Sequence, residues 1–222
     1  MSSEIAPRHV PRERPGQAGG RRDENRRQKT RHLCEKALPL FLKRGIEGVT
    51  IDDIVEEAGI AKGSFYRYFH NCAELVESLF TPLVAQVEAA FDECERALKE
   101  IPAGRDVGPA YQTLAQQLGA AILLNPDLTL LYLQECRSPA VGARGPVRRY
   151  ADRIRERAIA TTRTAHERGL LRPFDARVSA LAVVGAVERL LFGALSGEDI
   201  GDPEQIAPAL ISLILDGARS RP

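Results

Sequence analysis

The sequence predicts an all-α protein, with an N-terminal three-helix unit that contains a helix-turn-helix and a larger helical domain after it. Three observations lead to this prediction: apolar residues recur at helical spacing, glycine and proline stand mainly between those stretches, and no alternating strand pattern occurs. The composition, 44% hydrophobic and 27% charged, is that of an ordinary globular protein. The net charge of +1 means that affinity for a polyanion would have to come from a local patch.

The N-terminal residues 1–25 are rich in proline, glycine and arginine, which predicts a disordered basic arm. Such an arm could lie along DNA or be an extension without a role, and the sequence leaves both readings open. Residues 26–44 then place apolar side chains on one face of a helix, with Pro39 inside the pattern and Gly45 at its end. Four basic residues near its start are positioned for phosphate contacts: Arg26, Arg27, Lys29 and Arg31.

Residues 50–75 predict two short helices joined by a tight turn. Thr50 is a good N-cap for a helix over residues 51–57, because its hydroxyl can accept a hydrogen bond from a first-turn amide. Gly59 follows where a helix-turn-helix needs a residue that tolerates positive φ. A second helix then covers residues 62–69, and the spacing of Phe65 and Phe69 turns both rings inward.

The other faces of this second helix carry hydrogen-bond donors suited to phosphate oxygens and base edges. A merely solvated face would favour glutamate and lysine, whereas this one combines two tyrosines with an arginine and a lysine. The composition therefore favours DNA recognition over a bland helical subdomain. The candidate DNA contacts are Thr50, Lys62, Gly63, Ser64, Tyr66, Arg67, Tyr68 and His70.

The stretch TIDDIVEEAGIAKGSFYRYFHNCAEL resembles the N-terminal signature of the TetR family of bacterial transcriptional regulators. The resemblance implies a DNA-binding domain over residues 26–72 and a helical ligand-binding and dimerisation domain over residues 73–222. It also implies a homodimer on a palindromic double-stranded DNA operator, usually as a repressor that a small molecule releases, with an activator of the same architecture as the alternative. Family members usually carry a lysine where this chain has Cys72, so Cys72 is not expected to contact DNA. The matching features are Thr50, Ile54, Ala58-Gly59-Ile60, Lys62-Gly63-Ser64, Tyr66, Tyr68-Phe69 and Glu74-Leu75.

The middle of the chain predicts a long helix from about residue 73, broken at residues 101–108, and then three more helices. Pockets between bundled helices are typically apolar with a few polar groups. We therefore expect a largely apolar effector site here, in which Glu135 orients the ligand or instead pairs with a buried arginine. The candidate ligand-binding residues are Phe91, Tyr111, Leu114, Leu118, Leu131, Tyr132, Glu135 and Val184.

The last two predicted helices cover about residues 176–195 and 204–218. The first is apolar on nearly every side, so several of its faces must be covered, and a second subunit is a natural cover in a chain of this size. The candidate dimerisation residues are Val187, Leu191, Leu195, Leu210, Leu213 and Ile214.

Catalysis, metals and membranes find little support in the sequence. The histidines lack metal-binding spacing, and no phosphate loop, nucleophile elbow or dinucleotide motif occurs, so no cofactor or metal is expected. An all-α enzyme would have only Glu135, Cys136 and His166 as a nucleophile-and-base set, and a simple dimerising adaptor would not need the donor-rich helix. Four widely spaced cysteines fit a reducing cytoplasm, with a redox role for Cys72 or Cys136 left open. The apolar run near residues 180–187 is too short to span a bilayer, which predicts a cytoplasmic protein.

Overall fold

The computed structural model describes residues 21–171 and 175–218, and these residues form helices and connecting turns without a strand. The predicted all-α class is thereby confirmed. Two short 3-10 turns, Ile46–Gly48 and Gly142–Arg144, are called here the Ile46 turn and the Gly142 turn. The helices are α1 Arg21–Arg44, α2 Ile51–Glu57, α3 Lys62–Phe65, α4 Cys72–Glu100, α5 Gly108–Leu124, α6 Pro126–Glu135, α7 Gly145–Glu167, α8 Ala176–Leu195 and α9 Pro203–Ala218.

The first helix starts earlier than the sequence predicted. Residues 1–20 of the predicted arm lie outside the described residues, but α1 already begins at Arg21 rather than at Arg26. Asp23 and Glu24 lie in its first turn, where negative charge favours a helix N-terminus. The basic residues of α1 are therefore presented from a helix and not from an extended arm.

The second helix begins at Ile51 with Thr50 as its N-cap, as predicted, and has a capping box. The Thr50 hydroxyl accepts a hydrogen bond from the Asp53 amide at 3.2 Å, and the Asp53 carboxylate accepts one from the Thr50 amide at 2.7 Å. Arg44 adds an ion pair to Asp53 at 3.0 Å. These partners, chiefly Thr50, lower the pKa of Asp53 to about 2, so the cap stays charged at neutral pH.

The third helix is shorter than predicted. Its helical bonding ends at Phe65, and residues 66–68 form a turn in which the Tyr68 amide donates to the Phe65 carbonyl at 2.9 Å. The predicted continuous helix over residues 62–69 was therefore wrong in its second half. The ring of Phe69 still lies 5.7 Å from that of Phe65, because the tighter turn keeps both side chains on the buried side.

The largest buried cluster is continuous across the two predicted domains. Phe41, Ile54 and Phe65 from the N-terminal unit share it with Leu131 from α6 and Val147 from α7. The long α4 runs through the same cluster and has Pro82 inside it. The N-terminal unit therefore shares its core with the C-terminal helices. A displacement of α6 or α4 would change the packing beneath the helix-turn-helix.

Two smaller clusters fill the far end of the C-terminal helices. One joins α4 to α5 and α7 around Leu98 and Ala165, and the other joins α4, α7 and α8 around Phe91 and Ile159. Helix α8 is long and apolar enough to cross a membrane by composition, and only 11% of its apolar window is buried within the chain. A soluble helix that is covered by a second subunit gives the same signature.

Candidate DNA-binding surface and its link to the C-terminal domain

The candidate DNA contacts form one exposed ridge over a buried aromatic base. Phe65 is fully buried and Phe69 nearly so, and the Tyr66 ring stands edge-on to Phe65 at 5.7 Å. Tyr66 is 50% exposed, and Lys62, Gly63 and Arg67 also face solvent. Ser64 and Tyr68 are half-buried at the edge of the ridge. Because the aromatic base is rigid, the exposed donors are presented in a defined order along the segment.

Some of these donors already have partners within the chain. The Lys62 ammonium lies 2.8 Å from the Asp52 carboxylate, and this hydrogen bond raises the pKa of Lys62. The Thr50 hydroxyl is occupied by the capping box. The His70 ring lies 2.8 Å from Glu74, in an exposed pair next to the start of α4. A phosphate bound by Lys62 would have to replace Asp52, whereas Arg67 has no ion pair among the described residues.

The N-terminal unit carries more positive charge than the chain as a whole. Residues 26–72 contain nine lysines and arginines against six aspartates and glutamates, which gives +3, compared with +1 for all 222 residues. Cys72 is half-buried, and burial raises its pKa to about 11, so it is a neutral thiol at the start of α4. The positive charge thus lies on the same unit as the exposed ridge.

Glu135 forms the buried ion pair that was one of the two interpretations of this residue. Its carboxylate is 5% exposed and accepts hydrogen bonds from the Arg144 guanidinium at 2.5 Å and from the Ile46 amide at 2.9 Å. The backbone amide of the same Arg144 donates to Glu47 at 2.9 Å. We call this set of contacts between the Ile46 turn and the Gly142 turn the Glu135 clamp.

Two glycines allow the Glu135 clamp to close. Gly45 has a φ of +73°, and an added Cβ would lie 3.1 Å from a Glu135 oxygen. Gly142 has a φ of +50°, and an added Cβ would lie 2.6 Å from the Glu47 carboxylate. Both positions combine a backbone conformation that glycine adopts readily with a close approach to a charged group.

Tyr132 is also committed to structure. Its hydroxyl donates to Glu188 of α8 at 3.0 Å, and Arg137 pairs with the other oxygen of Glu188 at 3.1 Å. Burial raises the pKa of Tyr132, so it remains a neutral donor. Tyr132 thus links α6 to α8, its role in ligand binding stays a prediction, and Leu131 beside it is fully buried in the main cluster.

The remaining predicted ligand residues are brought together in part. Phe91, Leu114 and Val184 belong to the cluster between α4, α7 and α8. Tyr111 packs with Leu114 against the neighbouring cluster, and Leu118 is half-buried on α5. Two cavities of about 580 and 390 Å³ lie elsewhere, between α1 and the α5–α6 corner and beside Arg157.

Sequence reasoning missed the polar partners that lie far apart in the chain. Arg144, Glu188 and the Ile46 amide have no local pattern that marks them, since each meets its partner only through tertiary packing. Thr161 was missed as well: its buried hydroxyl has no hydrogen-bond partner among the described residues, and along α7 it lies between Ala158 of one smaller cluster and Ala165 of the other.

The predicted dimerisation residues whose side chains are described lie on faces that the chain covers only in part. Val187, Leu191 and Leu195 are half-buried along α8, and Leu213 is 73% exposed on α9. Leu210 is half-buried, and the side chain of Ile214 lies outside the described residues. An apolar helix face with this exposure is typical of an interface.

The residues considered for catalysis gain no support. Cys136 is buried, and burial raises its pKa to about 11, which disfavours the thiolate needed for a nucleophile or a redox sensor. Glu135 is held in its clamp, and His166 is half-buried near the end of α7. Within the described residues, no group of three or more histidines, cysteines, aspartates or glutamates is arranged to hold a metal ion.

Removing the Glu135 carboxylate should destabilise the whole chain. Glu135→Ala leaves the largely buried Arg144 guanidinium and the Ile46 amide without their acceptor, and breaking a buried pair costs about 3 kcal/mol or more. Urea unfolding at neutral pH measures the loss. The exposed pair of Glu77 and Arg149 is the control, and Glu77→Ala should cost less than about 1 kcal/mol.

A double-mutant cycle with Arg144→Ala completes this test. Because the second substitution removes the stranded charge, the double variant should be much less destabilised than the sum of the two single variants. Additive effects would contradict the clamp.

The helix-turn-helix segment matches proteins that are already known. Residues 33–79 match the family model described as bacterial regulatory proteins, tetR family. The segment is similar to the HTH-type transcriptional regulator TtgR of Pseudomonas putida, 42% identical over 64 residues, and to the HTH-type transcriptional repressor KstR2 of Mycolicibacterium smegmatis, 35% identical over 65 residues. These matches cover 28% and 29% of this chain and 30% and 28% of those proteins, so the chain spans less than a third of the curated relatives it matches.

Solved structures extend the likeness to the fold of most of the chain. A TetR-family transcription regulator from Shewanella sp. PV-4 aligns with a TM-score of 0.62 at 20% identity, covering 87% of this chain and 99% of that one. The regulator FadR from Bacillus subtilis aligns with a TM-score of 0.64 at 14% identity, covering 84% and 98%. At such identities the likeness shows the fold alone, and the match to the tetR family model concerns the helix-turn-helix segment, residues 33–79.

Proposed function

We propose that the protein is a ligand-responsive transcriptional regulator that binds a palindromic DNA operator as a homodimer, most simply as a repressor in the cytoplasm. The observation that carries this proposal is the exposed ridge over Phe65 and Phe69, whose donors lie on the most basic unit of the chain. Its relatives are named as transcriptional regulators, which favours this function over the enzyme alternative.

Arg67 is the side chain best placed to read a base. It is exposed beside Tyr66 and is free of intramolecular ion pairs in the described part of the chain, so its guanidinium is available for bidentate pairing with guanine. Lys62, Ser64 and Thr50 would instead fix the register on phosphates. Lys62 is paired with Asp52 in the free protein. When Lys62 binds a phosphate it would leave Asp52, so the contact exchanges one partner for another.

Replacing Arg67 should therefore change specificity. Arg67→Ala is expected to cost about 1–3 kcal/mol on an operator selected from random DNA, and to relax the preference at one position of each half-site. Lys62→Ala should weaken all sequences alike and reduce the salt dependence. Fluorescence anisotropy at several salt concentrations measures both, with Arg163→Ala as an exposed control on α7. Wild-type operator affinity in Arg67→Ala would refute the assignment.

A homodimer through α8 and α9 explains two features of the C-terminal helices. The apolar face of α8 is left half-exposed by its own chain, and Glu188 on that helix is tied back to α6 instead of pairing outward. Two-fold pairing of α8 and α9 with their copies would form a four-helix interface. It would also place the exposed ridges of the two subunits at the distance that separates two operator half-sites.

Placing a charge in that face should separate the subunits. Leu191→Asp is expected to give a monomer by analytical ultracentrifugation and to abolish operator binding, because each half-site alone is bound weakly. Gln112→Asp, on an exposed position of α5, is the control for an added charge and should remain a dimer. A wild-type protein that sediments as a monomer at micromolar concentration would overturn the proposal.

An apolar effector would enter between the two smaller clusters. Leu114 packs against both clusters, Phe91 belongs to one of them, and the buried hydroxyl of Thr161 has no hydrogen-bond partner among the described residues. A buried hydroxyl without a partner is costly, so a ligand group that accepts its hydrogen bond would recover free energy. The structural neighbour FadR of Bacillus subtilis was solved in complex with stearoyl-CoA.

Ligand binding here can reach the DNA through helix α4. That helix carries Phe91 at the effector end and begins beside His70 at the reading end, so a shift of α4 changes the spacing of the two ridges. The ligand must bind the released form more tightly, since equal affinity for both forms would shift nothing.

A titration of apolar compounds against the operator complex tests the effector site. A compound that releases DNA from the wild type should act at higher concentration on Thr161→Val, which keeps the shape and removes the hydroxyl. Thr162→Val is the control one residue away, where the hydroxyl already donates to the Ala158 carbonyl. Equal release from all three proteins would place the effector site elsewhere.

A further inference from the structure

A cleft of about 580 Å³ lies between the DNA-binding unit and the C-terminal helices, away from the proposed effector site. One wall is the face of α1 that carries Arg26, Arg27 and Arg31. The opposite walls are α4, from Ser78 to Pro82, and the corner where α5 meets α6. The volume lies within the range of about 300–1,000 Å³ that small-molecule sites occupy.

Charged and apolar side chains line different parts of the cleft. The three arginines lie towards one end, and none of them forms an ion pair with an acidic side chain among the described residues. The rest of the lining is mainly apolar, with Leu38, Leu79 and Leu128 among its side chains. Leu124 lies on the rim and is 76% exposed, although leucine is usually buried.

The remaining polar groups leave the cleft with a net positive charge. Glu35 and Asp127 also line it, so three guanidinium groups face two carboxylates. Cys34 adds no charge, because burial raises its pKa to about 11. Ser78 and Thr30 are neutral groups that can donate or accept a hydrogen bond.

We propose that this cleft binds a small amphipathic anion, with a phosphate or carboxylate head on the arginines and a short hydrocarbon tail over the leucines. Guanidinium groups bind such heads bidentately, and the apolar wall supplies the area that a tail would remove from water. A polar metabolite would leave the leucine side chains exposed to solvent, and a neutral hydrocarbon would not pair with the arginine side chains.

Occupancy of the cleft would hold α1 against the α5–α6 corner. Helix α6 carries Glu135 at its far end, so the ligand and the Glu135 clamp would join the same two units at two places. The arginines that bind the head are also the basic residues of α1 that are positioned for DNA phosphates, and one guanidinium cannot serve both anions at once.

The test uses octyl phosphate, octanoate, octanol and inorganic phosphate in isothermal titration calorimetry of the full chain without DNA. Because DNA is absent, the result does not depend on the proposed function. One molecule of octyl phosphate or octanoate should bind per chain, and whichever binds more tightly identifies the preferred head. Octanol and inorganic phosphate should each bind at least about tenfold more weakly, because each lacks one half of the recognition.

Variants locate the binding site. Arg27→Ala with Arg31→Ala should weaken the preferred anion about tenfold or more, since charge-assisted hydrogen bonds are lost. Arg105→Ala with Arg163→Ala removes the same charge from exposed positions outside the cleft and should change affinity little. The chain has no tryptophan, so Leu124→Trp on the rim gives a single fluorescent reporter that should shift on binding.

Three results would overturn the proposal: no binding of either anion, octanol binding as tightly as the anions, or equal weakening in the two double-arginine variants. An unchanged Leu124→Trp spectrum at saturation would place the anion outside the cleft and would also overturn it.

Discussion

The hydrogen bonds of one buried carboxylate, that of Glu135, fix how the two parts of this protein meet. A buried carboxylate is tolerable only with full hydrogen bonding, and here its partners come from both sides of the boundary: Arg144 from the C-terminal helices and the Ile46 amide from the N-terminal unit. The surrounding backbone is shaped to that requirement by Gly45 and Gly142, which allow the Ile46 and Gly142 turns to approach. A charged group in this place makes the boundary specific, since a sliding of one turn past the other would strand it.

Helix α6 is consequently the connecting element of the chain. Its side chains reach the N-terminal unit through Glu135, the main core through Leu131 and the apolar helix α8 through Tyr132. In a dimer through α8, the subunit interface and the reading ridge would thus be separated by one short helix and its polar contacts. These polar contacts depend on distance and angle, so a displacement of α6 would lengthen or break them.

The exposed ridge and the residues beneath it are held by different kinds of interaction. Phe65 and Phe69 hold the ridge in place from below, and the capping box at Thr50 fixes the start of the preceding helix. Above them, Lys62 and His70 are exposed and paired only with surface carboxylates, contacts that solvent weakens and that an incoming phosphate can replace. The buried phenylalanines thus fix the geometry of the ridge, while its exposed charges can exchange their partners.

The sequence by itself determined the features that depend on residues close together in the chain. Apolar spacing predicted the helices, Thr50 and Gly59 predicted the limits of α2, and the donor-rich segment around Arg67 marked the candidate DNA-binding ridge. It overextended α3, because the change from helical to tighter turn bonding after Phe65 leaves the positions of the inward rings nearly unchanged. Only the tertiary structure decided how Glu135 and Tyr132 are used, since their partners Arg144, Ile46 and Glu188 lie on other elements. It alone also revealed the cleft, whose arginines and leucines come from helices far apart in the chain and share no sequence pattern.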